Sequence, residues 1–547
     1  MEIIQGKGVS GGMVCGKICL LRRDKKREQI PRKHSVDPAA ERMRFQDGCR
    51  TLRQELEELY RKTGEAVGES EAEIFSIHQM MLGDEEFTDA VEERIRQGKD
   101  AAEAVLETGE ELAKMFSQMD NAYMQARDAD IRSIAARLAE ILEGVGNSMP
   151  DLQESVILAA EDLTPAQTME LDHKMVLGFI TEQGSSNSHT AILARMLGIP
   201  AVAAAGTLPD SINGKEGILD GGSGVLYVEP DSSVGELYRQ TLESEQQTRE
   251  LWESFRGRTC RTQEGKPVHI YANAGSMEDA EAAAAGDAEG IGLFRSEFLF
   301  MQYGRCPTEE EQYTVYRDVL AGMPGKEVII RTLDAGADKQ IPWLPSAAGE
   351  ANPALGLRAV RLCLRHPELL VTQLRALYRA AAHGKIRAMI PMITLPSELE
   401  QVMIIAAGVR EALNREQIPH DPDMPIGIMI ETPSAALYAG TLAQTAAFFS
   451  IGTNDLMQYT MAADRENAAL AYLTESLPES LKRLIAMTGE AAAEAGIPVS
   501  VCGELAGEEA AIPFLLEAGV TKLSVSPGHV LRVRAAVQKY LDEKKDQ

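Results

Sequence analysis

The sequence predicts a multidomain α/β chain: a small α/β domain interrupted by an α-helical bundle, then a C-terminal (β/α)8 TIM barrel. Three observations predict it. At 547 residues the chain is too long for one compact core. Residues 37–142 carry apolar side chains at helical spacing, with strand-like runs on either side. From about Pro267 onward, roughly eight apolar strands alternate with amphipathic helices over a span close to the usual barrel length.

The elements follow in order. Residues 1–20 read as a short strand pair around Gly8, Gly11, Gly12 and Gly16. The next stretch turns to Glu, Arg, Ala, Leu and Met, and Leu52, Leu56 and Leu59 show the helical pattern, as do Ile131, Ile134, Leu138 and Ile141. Short strands return at 156–159, 175–180 and 224–228, so the first strands are expected to pack with residues 145–230 around the interrupting helices. Residues 232–257 are charged, rich in Glu and Gln, and suit a linker helix. Barrel strands are expected at 268–272, 290–294, 328–332, 388–392, 426–430, 448–451, 499–501 and 522–525. An open doubly wound sheet is the alternative, and the strand count favours the barrel. The expected domains are 1–20 plus 145–230, 21–144 for the helical insert, 231–258 for the linker helix and 259–547 for the barrel.

Charge narrows the function classes. Lys and Arg number 55 against 83 Asp and Glu, a formal net charge of −28, which argues against a nucleic-acid or anionic membrane surface. A basic protein partner suits such a surface better. No charged leader precedes an apolar core at the N-terminus, and no apolar run is long enough to span a bilayer. The seven cysteines are scattered and odd in number, as expected of a reducing compartment, and a cytoplasmic protein is the expectation.

Residues 184–195 run Gly-Ser-Ser-Asn-Ser-His-Thr-Ala-Ile-Leu-Ala-Arg and place His189 where small polar residues pass into a helix. The free N–H groups of a helix start stabilise an anion. A neutral imidazole there is a nucleophile able to accept a phosphoryl group, though an ordinary His at a helix cap has the same local sequence.

In a (β/α)8 barrel, chemistry sits where strands end. Arg295 follows the second predicted strand, Arg331 ends the third and Glu431 ends the fifth. Asn454 and Asp455 follow the sixth, Arg465 lies farther into the same loop, and Cys502 ends the seventh. Glu431 and Asp455 offer hard oxygens suited to Mg2+, and the arginines suit a phosphorylated carboxylate. Each residue alone has a structural explanation; their convergence on one rim carries the functional one.

The His189 motif, with Gly-Ile-Pro-Ala-Val at 198–202, resembles the phosphohistidine motif of the phosphoenolpyruvate-utilising enzymes. The stretches 290–300, 331–334, 352–358, 429–433, 449–456, 458–460, 464–465 and 502–504 extend the resemblance over nearly the whole chain, and most closely to the Enzyme I group of the sugar phosphotransferase system. The resemblance implies that His189 is phosphorylated within a swivelling α/β phosphohistidine domain. It implies that Arg295, Arg331, Arg358, Asn454 and Arg465 hold phosphoenolpyruvate, that Lys339 adds phosphate charge compensation, and that Glu431 and Asp455 bind Mg2+. Cys502 is implied to protonate the departing pyruvate enolate. The implied acceptor is the histidine phosphocarrier protein HPr, docking on the helical insert near 74–82 and 123–127, and a homodimer through the barrel is expected. A synthase or dikinase of the same family needs a nucleotide-grasp domain, for which there is no room before residue 150. A paralogue serving a nitrogen-related or dihydroxyacetone-kinase phosphorelay is the alternative function.

Overall fold

The computed structural model describes residues 1–547 except 23–36, 68, 118–121, 145–151, 153, 164–166, 169–174, 185–188, 263, 337–340, 342, 345–349, 351, 465–466, 474–476 and 546–547. Lys339 and Arg465 therefore lie outside the described residues. The chain divides into two compact units, Met1–Ser244 and Glu245–Gln547. No helix among the described residues is long and apolar enough to cross a membrane.

The first unit holds eight strands: β1 (Glu2–Gln5), β2 (Lys7–Ser10), β3 (Met13–Leu21), β4 (Val156–Ala160), β5 (Val176–Thr181), β6 (Ala201–Ala203), β7 (Glu216–Asp220) and β8 (Val225–Val228). They form one sheet in the order β1-β8-β7-β3-β4-β5-β6-β2. Three strands, not a pair, occupy the N-terminus, and β6 and β7 are additional to the sequence reading. Both are short, and β7 is bounded by Gly214 and Gly221, so their alternation is too brief to stand out. Alternate residues of β4 serve opposite faces: Leu158 and Ala160 join one apolar cluster, Ile157 and Ala159 the other. The first cluster also takes Ala191 and Ala194 from the helix His189–Leu197, which seats that helix on the sheet.

Between β3 and β4 the described residues form five helices: α1 (Pro38–Val67), α2 (Glu69–Leu82), α3 (Glu85–Arg96), α4 (Ala101–Ser117) and α5 (Ala122–Leu142). Their core contains Leu52, Leu56, Leu59, Ile131, Ile134 and Leu138, with Ile141 packed against it, as the spacing predicts. Phe45, Phe75 and Phe87 complete it. His78 is buried on α2 with Nε2 3.5 Å from Asp130 Oδ1 of α5, which fits a structural histidine. Ser232–Glu253 is a single helix that leaves Leu237 and Leu251 exposed.

The second unit is a closed barrel. Its parallel strands are β10 (Pro267–Ala274), β11 (Gly290–Arg295), β12 (Glu327–Arg331), β13 (Ile386–Ile390), β14 (Ile426–Ile430), β15 (Phe449–Ile451), β16 (Val499–Val501) and β17 (Lys522–Val525). Pairing runs from β11 round to β17, then β10, and β10 pairs back to β11. A short strand, β9 (Cys260–Arg261), adds to β10 in antiparallel fashion. Outward residues such as Val328, Ile330, Ile428 and Val501 pack under the helices. Inward residues Leu293, Ile329, Met389, Met429, Phe448 and Cys502 fill the barrel interior.

Candidate active site

The C-terminal strand ends surround a cavity of about 1000 Å3. Arg295, Arg331, Arg358, Glu431, Asn454, Asp455 and Cys502 all line it. Six of these are the rim residues predicted from strand ends that fall among the described ones, and Arg358 is the one the resemblance adds. His189 belongs to the first unit, where it opens the helix His189–Leu197.

Two guanidinium groups are fixed by carboxylates that the sequence reading missed. Arg331 ends β12 and pairs through Nη2 with Glu297 and through Nη1 with Asp334 Oδ2 at 2.9 Å. The other oxygen of Asp334 accepts from Arg358 Nη2 at 3.1 Å. All four side chains are buried, so the attractions act in a poorly screened setting. Burial works against the charge on Arg331, but Asp334, Glu297 and Glu431 more than offset it, and the group stays cationic. Arg295, by contrast, is exposed at the mouth.

Backbone wiring supports this pair of arginines from behind. Ser296 Oγ donates to the Arg331 carbonyl at 2.6 Å. Gln373, on the helix Pro367–Ala381 outside the barrel, accepts from Leu333 N–H at 2.9 Å. Its amide nitrogen donates to Ser296 Oγ at 3.0 Å and Tyr316 Oη at 2.9 Å. The residues flanking Thr332 are thus held from two sides.

Glu431 follows β14 and is fully buried. Met392 N–H donates to its Oε1 at 2.6 Å, and Oε2 has no partner among the described residues. Met392 makes that bond from a backbone with positive φ, 58°, and two other non-glycine residues beside site groups share the positive φ, Ala359 at 50° and Ala462 at 50°. Strained backbone of this kind persists where surrounding structure enforces it. Burial pushes the Glu431 carboxyl above its ordinary value, and the carboxylates of Asp334 and Asp455 push the same way. Gly452 leaves room beside it: a Cβ there would lie 3.0 Å from Oε2.

Asn454 and Asp455 stand in the first turn of the helix Thr453–Met461, which starts directly after β15. Asn454 Nδ2 donates to Glu504 Oε1 at 3.1 Å, and Glu504 N–H donates back to Asn454 Oδ1 at 3.1 Å. Gly503 makes this clasp possible, since a Cβ there would meet Thr453 Oγ1 at 2.0 Å. Cys502 is buried in the wall, and burial pushes its thiol up to about 11, against the hydrogen bond from Ser450. It is protonated at neutral pH and available as an acid.

Residues 249–541 match the PEP-binding domain of the PEP-utilising enzymes. Residues 5–127 match the N-terminal domain of that family and residues 152–224 its mobile domain. The chain belongs to the PEP-utilising enzyme family. It is 38% identical over 98% of its length to the phosphoenolpyruvate-protein phosphotransferase of Bacillus subtilis (strain 168), covering 95% of that protein. The phosphotransferase of Geobacillus stearothermophilus is 39% identical, with 99% of this chain and 94% of the relative covered. That of Enterococcus faecalis (strain ATCC 700802 / V583) is 37% identical over 98% and 94%.

The donor set in this PEP-utilising site fits a divalent cation. Among the described residues no group of three or more His, Cys, Asp or Glu could hold a metal alone. The site offers instead an unpartnered buried carboxylate oxygen on Glu431, with Asp455 lining the same cavity. One or two carboxylates completed by phosphate oxygens and water are what Mg2+ takes in phosphoryl-transfer sites.

Proposed function

We propose that the chain acts as a phosphoenolpyruvate-protein phosphotransferase, moving the phosphoryl group of phosphoenolpyruvate to its own His189 and then to the histidine phosphocarrier protein HPr. Pyruvate leaves, and the reaction opens phosphotransferase-system sugar uptake in the cytoplasm. The observation that carries the reading is one cavity in which two carboxylate-anchored arginines face a free carboxylate oxygen and a protonated thiol.

Arg331 and Arg358, already locked in direction, receive the phosphate and carboxylate of the donor, with Arg295, Asn454, Lys339 and Arg465 completing the cradle. Glu431 and Asp455 would hold Mg2+, which would supply positive charge to the transferring group. His189 attacks phosphorus in line as the free-base imidazole. The N–P bond forms as the P–O bond to the enol breaks, and Cys502 gives its proton to the methylene carbon. His189 and the cavity belong to different units, and the phosphohistidine domain swivels to the barrel and then to the carrier, with the linker at 232–257 and the chain at 142–151 as its hinges. HPr docks on the helical insert, and two copies pair through their barrels.

The decisive experiment is mass spectrometry, under alkaline handling, of protein treated with phosphoenolpyruvate and Mg2+. One phosphoryl adduct on residue 189 is expected, and none in His189→Ala, whose barrel still folds. Carrier phosphorylation by His189→Ala would refute the assignment.

A further inference from the structure

Three serines stand on consecutive strands of the barrel wall: Ser450 on β15, Ser500 on β16 and Ser524 on β17. Their strand neighbours Phe449, Ile451, Val499, Val501, Leu523 and Val525 all join the outer core, so alternation turns the serines inward. Two of them find oxygen acceptors. Ser500 Oγ donates to Phe449 O at 3.2 Å, and Ser524 Oγ donates to Asn273 Oδ1 at 2.7 Å.

Ser450 differs. Its side chain is fully buried, and its hydroxyl donates to Cys502 Sγ at 3.3 Å. A neutral thiol is a weak acceptor, whereas a thiolate is a strong one. Packing alone would be served as well by alanine at this position. Cys502 lines the cavity and Ser450 does not, so whatever Ser450 does for the reaction passes through the sulfur.

We infer that Ser450 is a positioning residue for the Cys502 thiol, a donor kept in place for the charge that sulfur gains when it protonates the enolate. The inference rests on the function proposed above. The hydroxyl takes up one side of the sulfur and leaves the S–H to Ile451 O, 3.7 Å away, or to a substrate carbon in the cavity. When the proton moves, the S–H bond breaks and the methyl C–H bond of pyruvate forms. The electron pair stays on sulfur as thiolate, facing the Ser450 hydroxyl, until water returns a proton.

The test is exchange of pyruvate methyl protons with deuterated solvent, followed by NMR on the full chain with Mg2+, in wild type, Ser450→Ala, Ser450→Thr and Cys502→Ala. Ser450→Ala is expected to slow exchange about tenfold, the size of one hydrogen bond to a charged group. Ser450→Thr, which keeps the hydroxyl, should restore most of the rate, and Cys502→Ala should abolish it. The KM for phosphoenolpyruvate and the Tm should stay at wild-type values in Ser450→Ala. Wild-type exchange in Ser450→Ala, with His189 still labelled normally, would overturn the role of Ser450 alone. So would a slowing matched by equal losses in Tm and substrate affinity, which marks simple packing. Failure of the wild-type chain to label His189 would overturn the underlying function and this inference with it.

Discussion

At the start of β12, Glu327 pairs with both Arg387 and Lys522 and accepts from Tyr271 Oη at 3.3 Å. At the end of the same strand, Arg331 is also held by two oppositely charged partners, yet its Nε has none among the described residues. Nearby, Glu431 Oε2 is buried and likewise has no partner among the described residues. Burial works against the Glu327 charge, but its two cations keep the carboxyl below the ordinary range. Glu431 moves in the opposite direction. Glu327 and its two cations satisfy each other at one end, while Arg331 and Glu431 at the other end leave valences open for a ligand. Burial of charge alone therefore marks no function; open valences that converge on one cavity do.

The contrast can be broken most severely at the open end. Glu431→Gln is expected to lower phosphotransfer about 10³-fold, in line with losing one preorganised charge at a transfer site, with no fall in Tm. A large loss of stability in that variant would mean that the open carboxylate is structural. The converse substitution, Glu327→Gln, should cost about 3 kcal/mol of barrel stability by denaturant unfolding, because two half-buried cations lose their partner, with kcat close to wild type. Should turnover fall while stability held, the closed end would have a catalytic share.

A finer probe is Gln373→Met, which keeps volume but removes the bonds to Leu333 N–H, Ser296 and Tyr316. It is expected to raise the KM for phosphoenolpyruvate about tenfold through loosened Arg331, with a smaller change in kcat. Equal kinetics would show that the two carboxylates alone orient Arg331. The smallest effect concerns pH. Because the Cys502 thiol is pushed up to about 11, its alkylation by iodoacetamide should be slow at pH 8 and rise until about that value. An unfolded-chain thiol ionises near 8.5, so the associated stability is fully present below that pH and is lost as pH climbs to about 11. Fast alkylation at pH 8 would place the thiol in a less buried setting.

All eight barrel strands were legible because each is a short apolar run between helical stretches, and three of them, Ile426–Ile430, Val499–Val501 and Lys522–Val525, match to the residue. The rim residues followed once strand ends were known. Glu297, Asp334, Gln373 and Ser450 were not legible. Gln373 sits on an outer helix and reaches the strand end through a fold in space that no local spacing announces. Glu297 lies only two residues after Arg295, but its partner is on the neighbouring strand. The strand β9 is two residues long, too short for any period to appear.

The five-helix bundle leaves the sheet after β3 and returns at β4, and these two strands are immediate neighbours, with Leu21 beside Ala160 and Lys17 beside Val156. The whole bundle thus plugs into a single gap between adjoining strands. Exchanging it for another bundle would leave the hydrogen-bond ladder intact, and its one further demand would be a match where α1 touches the histidine helix. If the carrier docks on this bundle as proposed, acceptor choice becomes an interchangeable part, open to recombination independently of the chemistry it serves.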